Sequence, residues 1–311
     1  MRILTVLLLC FLSLHSRAQP AQLLHRSYAA KYDYLDSLWG RITNKDADAA
    51  QSSAQLDSLE KWAKTKGDED LSMSFALLKL RLDMAKGYDL VQLEERISKI
   101  ALDAHEKKFE MLEADALRVL GEYWAYKKKL GQAFEYELAA YKIYSKYTPE
   151  EYPQKQYYLY LLGMHYVQYG DNDNAFRVLM QAKAAKGRDI RYLNLINNAL
   201  GLYYRGINKY DSAIFLFRQI YDDAVANHNK QWVGIAAGNI GICYFYEKRY
   251  EDAIPLLEKD IDTSLATKQV RNALHSMSIL AEIYFNKNDM DRSEQILTKA
   301  LSIGRSKDWW P

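Results

Sequence analysis

Residues 196–204 read Ile-Asn-Asn-Ala-Leu-Gly-Leu-Tyr-Tyr, and close variants of this stretch recur four more times in the 311-residue chain. The other copies occupy residues 116–124, 158–166, 236–244 and 276–284, and the last has Ala281 where the others have glycine. Measured at this glycine or alanine, the copies follow one another after 42, 38, 40 and 40 residues. A register of this kind predicts stacked structural repeats.

Each copy is followed by a second pattern. Twelve positions after the glycine or alanine stands a small residue, namely Ala133, Ala175, Ala213, Ala253 or Ser293. Four positions further on stand Glu137, Leu179, Phe217, Leu257 and Leu297. Glycine inside a helix costs about 1 kcal/mol relative to alanine, so its recurrence indicates that a second helix approaches closely there. We therefore predict helical hairpins in which the small residue faces the glycine. The aromatic residue three positions after the glycine then fills the hairpin interior, as Tyr204 does in its copy.

The pattern resembles the tetratricopeptide repeat, in which a Leu-Gly-x-x-Tyr helix pairs with an Ala-x-x-x-Phe helix. Leu200, Gly201, Tyr204, Ala213 and Phe217 match that pattern best. The period is near 40 residues instead of about 34, which predicts longer helices, and the proline that usually closes each repeat is missing. The resemblance implies an all-α, right-handed superhelical solenoid of antiparallel helix hairpins that serves as a binding scaffold and not as an enzyme.

The N-terminal residues have the features of an export signal. Met1-Arg2 precedes an apolar run from Ile3 to Leu14, and Ser16-Arg17-Ala18 supplies small residues for cleavage. We predict a signal peptide over 1–18, cut after Ala18, and hence a periplasmic or secreted protein. The alternative is a retained signal anchor, although twelve apolar residues are fewer than the about twenty that span a bilayer.

The rest of the chain divides into two regions. Residues 19–110 show helical periodicity over 27–42, 47–66, 71–85 and 90–107 without the repeat signature, and are interpreted as degenerate N-terminal hairpins. Residues 111–308 hold the five repeats.

Composition and motifs restrict the function. Removal of residues 1–18 takes away Arg2 and Arg17, so the 42 basic side chains become 40, equal to the number of acidic ones. This balance gives no reason to expect a nucleic-acid partner. No later apolar stretch is long enough to insert in a membrane. Catalytic elbows, phosphate loops and His-Glu-x-x-His are missing, so we expect no catalytic residues, metal or cofactor. Cys243 is the one thiol of the mature chain and is expected to be buried and inert.

The resemblance implies that a partner binds the concave face, which is lined by the first helix of each hairpin. The predicted peptide-binding residues are Tyr157, Tyr160, Met164, Asn198, Leu202, Arg205, Ile242, Phe245, Tyr246 and Glu282. Further candidates on the same faces are Arg118, Glu122, Gln168, Leu195, Ile235, His275, Ser278 and Phe285. Family members that grip a terminal carboxylate use several basic and amide side chains, and here only Asn198 and Arg205 match. An extended or helical segment with apolar side chains therefore fits better.

Three functions remain open from the sequence. The first is an exported scaffold that binds a protein or peptide in its concave groove. The second is the extracytoplasmic sensor portion of a truncated or split bacterial membrane signalling protein, which the combination of an export signal and long-period repeats resembles. The third is an enzyme with an unfamiliar active site.

Overall fold

The structure is a computed structural model that describes residues 20–44, 46–87, 90–185 and 190–305, so the predicted signal peptide lies outside the described residues. Within these ranges the chain forms a short 3-10 helix at Pro20–Leu23, fourteen α-helices and no β-strand. The α-helices are α1 Tyr28–Ile42, α2 Ala49–Thr65, α3 Glu69–Lys86, α4 Leu90–Glu106, α5 Glu110–Tyr126, α6 Leu130–Tyr144, α7 Lys155–Gln168, α8 Asn172–Ala184, α9 Ile190–Gly206, α10 Tyr210–Ala226, α11 Lys230–Tyr246, α12 Tyr250–Ala266, α13 Val270–Asn286 and α14 Met290–Arg305. The predicted all-α class is confirmed.

The chain divides into two compact units, residues 1–155 and 156–311. In the first unit, α1 to α6 bury two apolar clusters, one around Leu56 and Phe75 and the other around Ile97 and Leu120. In the second unit, α10 to α13 surround a cluster that includes Phe217. Every helix of the described ranges is too short or too polar to span a bilayer.

The helices follow one another at a uniform step. α4, α5 and the five helices from α9 to α13 all have 17 residues. From α9 to α14, each turn has three residues, whether it lies within a hairpin or between two hairpins. One helix and one turn therefore take 20 residues, which explains why the sequence period is near 40.

These three-residue turns share one backbone conformation. Their middle residue has a left-handed φ between 53° and 61°, at Lys108, Lys128, Asn208, His228, Lys248, Lys268 and Asn288. The next amide then bonds back to the helix, as when Lys209 N–H donates to the carbonyl of Tyr204 at 2.9 Å. This arrangement satisfies carbonyls that the end of a helix leaves open. From α9 to α14, the links between hairpins, which the missing proline left undetermined, are therefore the same turn as the links within them.

The repeated glycine allows the two helices of a hairpin to approach closely. A Cβ atom placed on Gly201 would lie 2.5 Å from Cε1 of Phe217, and one on Gly163 would lie 2.7 Å from Cγ of Leu179. The residue that faces the glycine is thus the large one sixteen positions later, and not the small one at twelve as predicted. The small residue lets its own backbone approach, because a Cβ on Gly241 would lie 3.2 Å from the carbonyl oxygen of Ala253.

The fifth copy differs from the others. Leu179, Phe217 and Leu257 face glycines and are fully buried. Leu297, at the equivalent sequence position sixteen residues after Ala281, is 45% exposed.

Candidate functional site

The candidate site lies on the first helices of the hairpins in the second unit. Asn198, Leu202 and Arg205 are spaced four and three residues apart on α9, so they share one side of that helix. Asn239 and Tyr246 are seven residues apart on α11 and so share one side of that helix, as do Glu282 and Phe285 on α13. We refer to the following set as the first-helix face: Asn198, Leu202, Arg205, Asn239, Tyr246, Glu282 and Phe285.

A chain of hydrogen bonds forms the polar centre of the first-helix face. Arg205 Nη1 donates to Oδ1 of Asn239 at 2.7 Å, and Nδ2 of Asn239 donates to Oδ1 of Asn198 at 3.2 Å. All three side chains are half-buried. In the part of the chain that the structure describes, no carboxylate pairs with Arg205. The face therefore carries a positive charge whose hydrogen-bond partner is neutral.

Apolar side chains flank this polar centre. Leu202 on α9, Tyr246 on α11 and Phe285 on α13 are 37%, 52% and 56% exposed. The ring of Tyr246 stacks on that of Tyr210 at 5.8 Å between centroids, which holds it in place. Glu282 is exposed on the same side of α13 as Phe285. The surface thus offers both hydrogen-bonding groups and apolar contacts.

Two predicted site residues do not belong to this surface. Ile242 and Phe245 are buried, at 4% and 9% exposure, and lie in the core cluster with Ile279 and Ile283. The physical reason is that α13 packs against α11 and covers them. Both are core residues of the second unit and are not open to a ligand.

The predicted residues on α7 are partly covered. Tyr157, Tyr160 and Met164 are all half-buried. The ring of Tyr157 stacks on Tyr192 at 4.7 Å. Burial raises the pKa of Tyr160 above that of a free phenol, so its hydroxyl stays neutral. Of the further candidates in this unit, Gln168, His275, Ser278 and Phe285 are exposed, and Leu195 and Ile235 are half-buried.

The fold agrees with the comparison against known families. The family model described as "Tetratricopeptide repeat" matches residues 274–305, which cover most of α13 and all of α14. This part of the chain therefore matches one tetratricopeptide repeat.

Solved structures share the fold of this chain. The apo form of RapI superposes with a TM-score of 0.66 at 15% identity, covering 90% of this chain and 78% of that one. Aspartyl phosphate phosphatase F from Bacillus subtilis gives a TM-score of 0.57 at 17% identity, covering 90% and 76%. BtubC from P. vanneervenii gives 0.57 at 14% identity, covering 72% and 94%. At these identities the likeness concerns the fold alone. The sequence has no significant match among curated proteins.

The candidate residues in the first unit form contacts within the chain. Arg81 donates to Glu122 through Nε at 3.1 Å and Nη2 at 3.0 Å, and Arg118 also bonds to Glu122. The guanidinium of Arg81 lies 4.4 Å above the ring of Trp39. Burial alone would raise the pKa of Glu122, but Arg118 and Arg81 hold it below its usual value. Arg118 and Glu122 are therefore parts of a partly buried ionic cluster.

The described residues contain no group of ligands suited to a metal ion. Cys243 is fully buried, and burial raises its pKa to about 12, so it remains a neutral thiol. A neutral thiol is a poor nucleophile. The first-helix face instead has the chemistry of a surface for recognition.

Sequence reasoning missed Asn239. Its side chain bridges Arg205 and Asn198, which lie on a different helix. Asn239 stands two residues before Gly241, whereas Asn198 stands three before Gly201, so the repeat register did not place them together. The sequence did contain a signal, namely the asparagine on the first helix of one repeat, which can face the arginine on the first helix of the preceding repeat.

Proposed function

We propose that this protein is an exported scaffold that binds an extended segment of a protein or peptide on its first-helix face. The observation that carries the proposal is the chain from Arg205 through Asn239 to Asn198, flanked by exposed Leu202 and Tyr246. Tetratricopeptide-like folds present extended surfaces that bind proteins or peptides.

The chemistry of the face suggests what such a segment offers. An asparagine side chain both donates and accepts, so it matches the amide groups of an extended backbone. The unneutralised guanidinium of Arg205 favours a carboxylate on the ligand. Leu202, Tyr246 and Phe285 provide apolar area for its other side chains, and buried aromatic contacts dominate many interfaces. We therefore expect a ligand with an acidic group beside apolar residues.

Export is the second element of the proposal and rests on the sequence of residues 1–18 alone. N-terminal sequencing of the protein recovered from the cell envelope or the medium tests it. The expected first residue is Gln19, and a chain that still begins at Met1 would be an anchored protein.

Affinity capture from an envelope extract tests the binding surface. The bait is the chain from Gln19 onward, in wild-type form and as Arg205→Ala. The matched control is Arg177→Ala, because Arg177 is exposed on α8, a second helix of a hairpin. A partner that the wild type and the control retain, and that Arg205→Ala loses, supports the proposal. Equal capture by all three baits places the binding surface elsewhere.

A further inference from the structure

The connection between α6 and α7 departs from the uniform step of the fold. It spans the ten residues 145–154, whereas the turn at 127–129 and each turn from α9 to α14 have three residues. Long irregular connections in compact proteins are uncommon and often serve a function. Residues 145–154, which we call the tyrosine segment, therefore call for a physical explanation.

The tyrosine segment runs along the surface of the first unit, with half of its residues exposed, and inserts one side chain into it. Tyr152, near its end, is fully buried. Its ring lies between those of Tyr28 and Tyr144, with centroids 5.2 Å and 5.8 Å away and nearly parallel planes. Tyr28 belongs to α1 and Tyr144 to α6, so Tyr152 fills a slot between two aromatic walls.

The end of this slot is polar. The Tyr152 hydroxyl donates to Oδ1 of Asp115 at 2.5 Å, and the Tyr28 hydroxyl donates to the other oxygen of the same carboxylate. Nε2 of Gln154 in turn donates to the Tyr28 hydroxyl at 3.0 Å. The slot thus recognises the phenolic hydroxyl as well as the ring, which is a match specific to tyrosine.

Further contacts hold the rest of the tyrosine segment. The Tyr147 hydroxyl donates to Oε2 of Glu110 at 2.7 Å, at the start of α5. The segment is therefore anchored by side chains of Tyr147, Tyr152 and Gln154 to residues of α1 and α5. The backbone of the segment forms turns, in one of which Tyr152 N–H donates to the carbonyl of Thr148 at 2.9 Å. The first unit therefore holds a turn whose side chains enter separate sites.

The register places the polar end of the slot on the first helix of a hairpin. Asp115 stands six residues before Gly121, as Leu195 stands six before Gly201.

We infer that this part of the first unit is a binding site for a peptide that forms a turn and carries a tyrosine, and that residues 145–154 occupy it as a built-in ligand. A tethered ligand competes at an effective concentration on the order of millimolar, so an external peptide binds well only when the segment is released. The inference does not rest on the first-helix face, because its residues all lie between Tyr28 and Gln154.

The test supplies the segment as a separate peptide. The full chain from Gln19 carries Tyr147→Ala, Tyr152→Ala and Gln154→Ala together, which removes the anchoring side chains. The probe is a fluorescent peptide with the sequence of residues 146–154, and binding is measured by anisotropy. We expect the triple variant to bind the peptide and the wild type to show no binding at the same concentrations. The same peptide with Phe at the position of Tyr152 should bind about tenfold more weakly, because it lacks the hydrogen bond to a carboxylate.

Two outcomes would overturn the inference. One is a triple variant that retains its helical content but does not bind the peptide. The other is equal binding of a peptide with the same composition in scrambled order, which would indicate nonspecific adhesion.

A conservative variant covers the case in which the triple variant does not fold. Tyr152→Phe keeps the stacked ring and loses the bond to Asp115. Trypsin should cleave this variant faster than the wild type after Lys146 and Lys155, which flank the anchored residues. Added peptide 146–154 should slow that cleavage by occupying the slot. Wild-type cleavage rates, or rates that the peptide leaves unchanged, contradict the inference.

Discussion

The hydroxyl of Ser276 on α13 donates a hydrogen bond of 2.5 Å to the carboxylate of Asp260 on α12. Ser264 donates a second bond to the same carboxylate at 2.7 Å. Asp260 is 3% exposed, and no cation pairs with it among the residues that the structure describes. Burial raises the pKa of Asp260 above its ordinary value, while the two hydroxyl groups and the more distant His275 oppose that rise. At the junction of α12 and α13, burial of the Asp260 carboxyl group therefore costs less free energy when the group is protonated than when it is charged.

This arrangement predicts how stability depends on pH. Because the pKa of Asp260 is higher in the folded than in the unfolded chain, its protonation stabilises the fold. That stabilisation is fully present below the unfolded value of about 3.9 and is lost as the pH rises through the folded pKa. Asp260→Asn keeps the hydrogen bonds without the charge. We expect urea melts at a series of pH values to show the variant gaining stability over the wild type toward neutral pH. Parallel curves would contradict this.

Two glycines of α9 provide a matched pair for the close helix approach. A Cβ on Gly201 meets the ring of Phe217, whereas a Cβ on Gly206 meets nothing within 4 Å. Gly201→Ala should lower the free energy of unfolding by about 1–3 kcal/mol through overpacking. Gly206→Ala should raise it by roughly 0.4–1 kcal/mol. Denaturant melts measure both, and adding Phe217→Leu should recover part of the loss at Gly201. Similar effects at the two glycines would refute the assigned packing.

The left-handed turn residues predict stabilising substitutions. Lys127 and Lys128 are neighbours in one turn, with φ of −72° and 59° respectively. A left-handed conformation costs a residue other than glycine roughly 1–2 kcal/mol. Lys128→Gly should therefore stabilise the fold by about 1 kcal/mol, the lower end of that range. Lys127→Gly should destabilise it, because glycine has more freedom to lose there. Thermal melts of the two variants should shift in opposite directions, and shifts of the same sign would count against this account.

Substitutions of two phenylalanines of similar exposure distinguish an effect on binding from an effect on stability. Phe285 on the first-helix face is 56% exposed, and Phe215 on α10 is 61% exposed. Phe285→Ala should weaken capture of the partner identified with the wild-type bait, because the ring is placed to contact the ligand. Phe215→Ala should leave capture unchanged. Neither substitution should move the melting temperature greatly, since both rings are mostly in water. Loss of capture with Phe215→Ala alone would assign binding to the second helices.

The sequence was sufficient for the hairpins, because the glycine, the small residue twelve positions later and the large residue sixteen positions later recur together, although which of the two faces the glycine was predicted wrongly. The signal at Gly201 and Phe217 is local in the hairpin and repeats with a fixed register. Helices were also found where the signature is weak: the periodicity over 27–42 predicted a helix that the structure places at Tyr28–Ile42. These are the features that depend on short-range spacing.

Other features depend on contacts that the spacing of residues in the sequence does not predict. Ile242 and Phe245 have the position of groove residues, and only the packing of α13 on α11 buries them. Tyr28 and Asp115 are 87 residues apart, so their hydrogen bond has no counterpart in the repeat pattern. The left-handed turn position escaped notice for a different reason. It is filled by lysine, asparagine or histidine, so no residue type marks it.

The uniform 20-residue step has a consequence for how this chain can change in length. Loss of a single residue within α11 would rotate the side chains on one side of the deletion by about 100° relative to those on the other. Tyr246 would then leave its position relative to Asn239. Removal or duplication of 40 residues, such as 230–269, would instead delete or add one complete hairpin with its turns intact. Length variation in this part of the molecule is therefore expected to occur in whole hairpins, by recombination of equal blocks and not by gradual insertion.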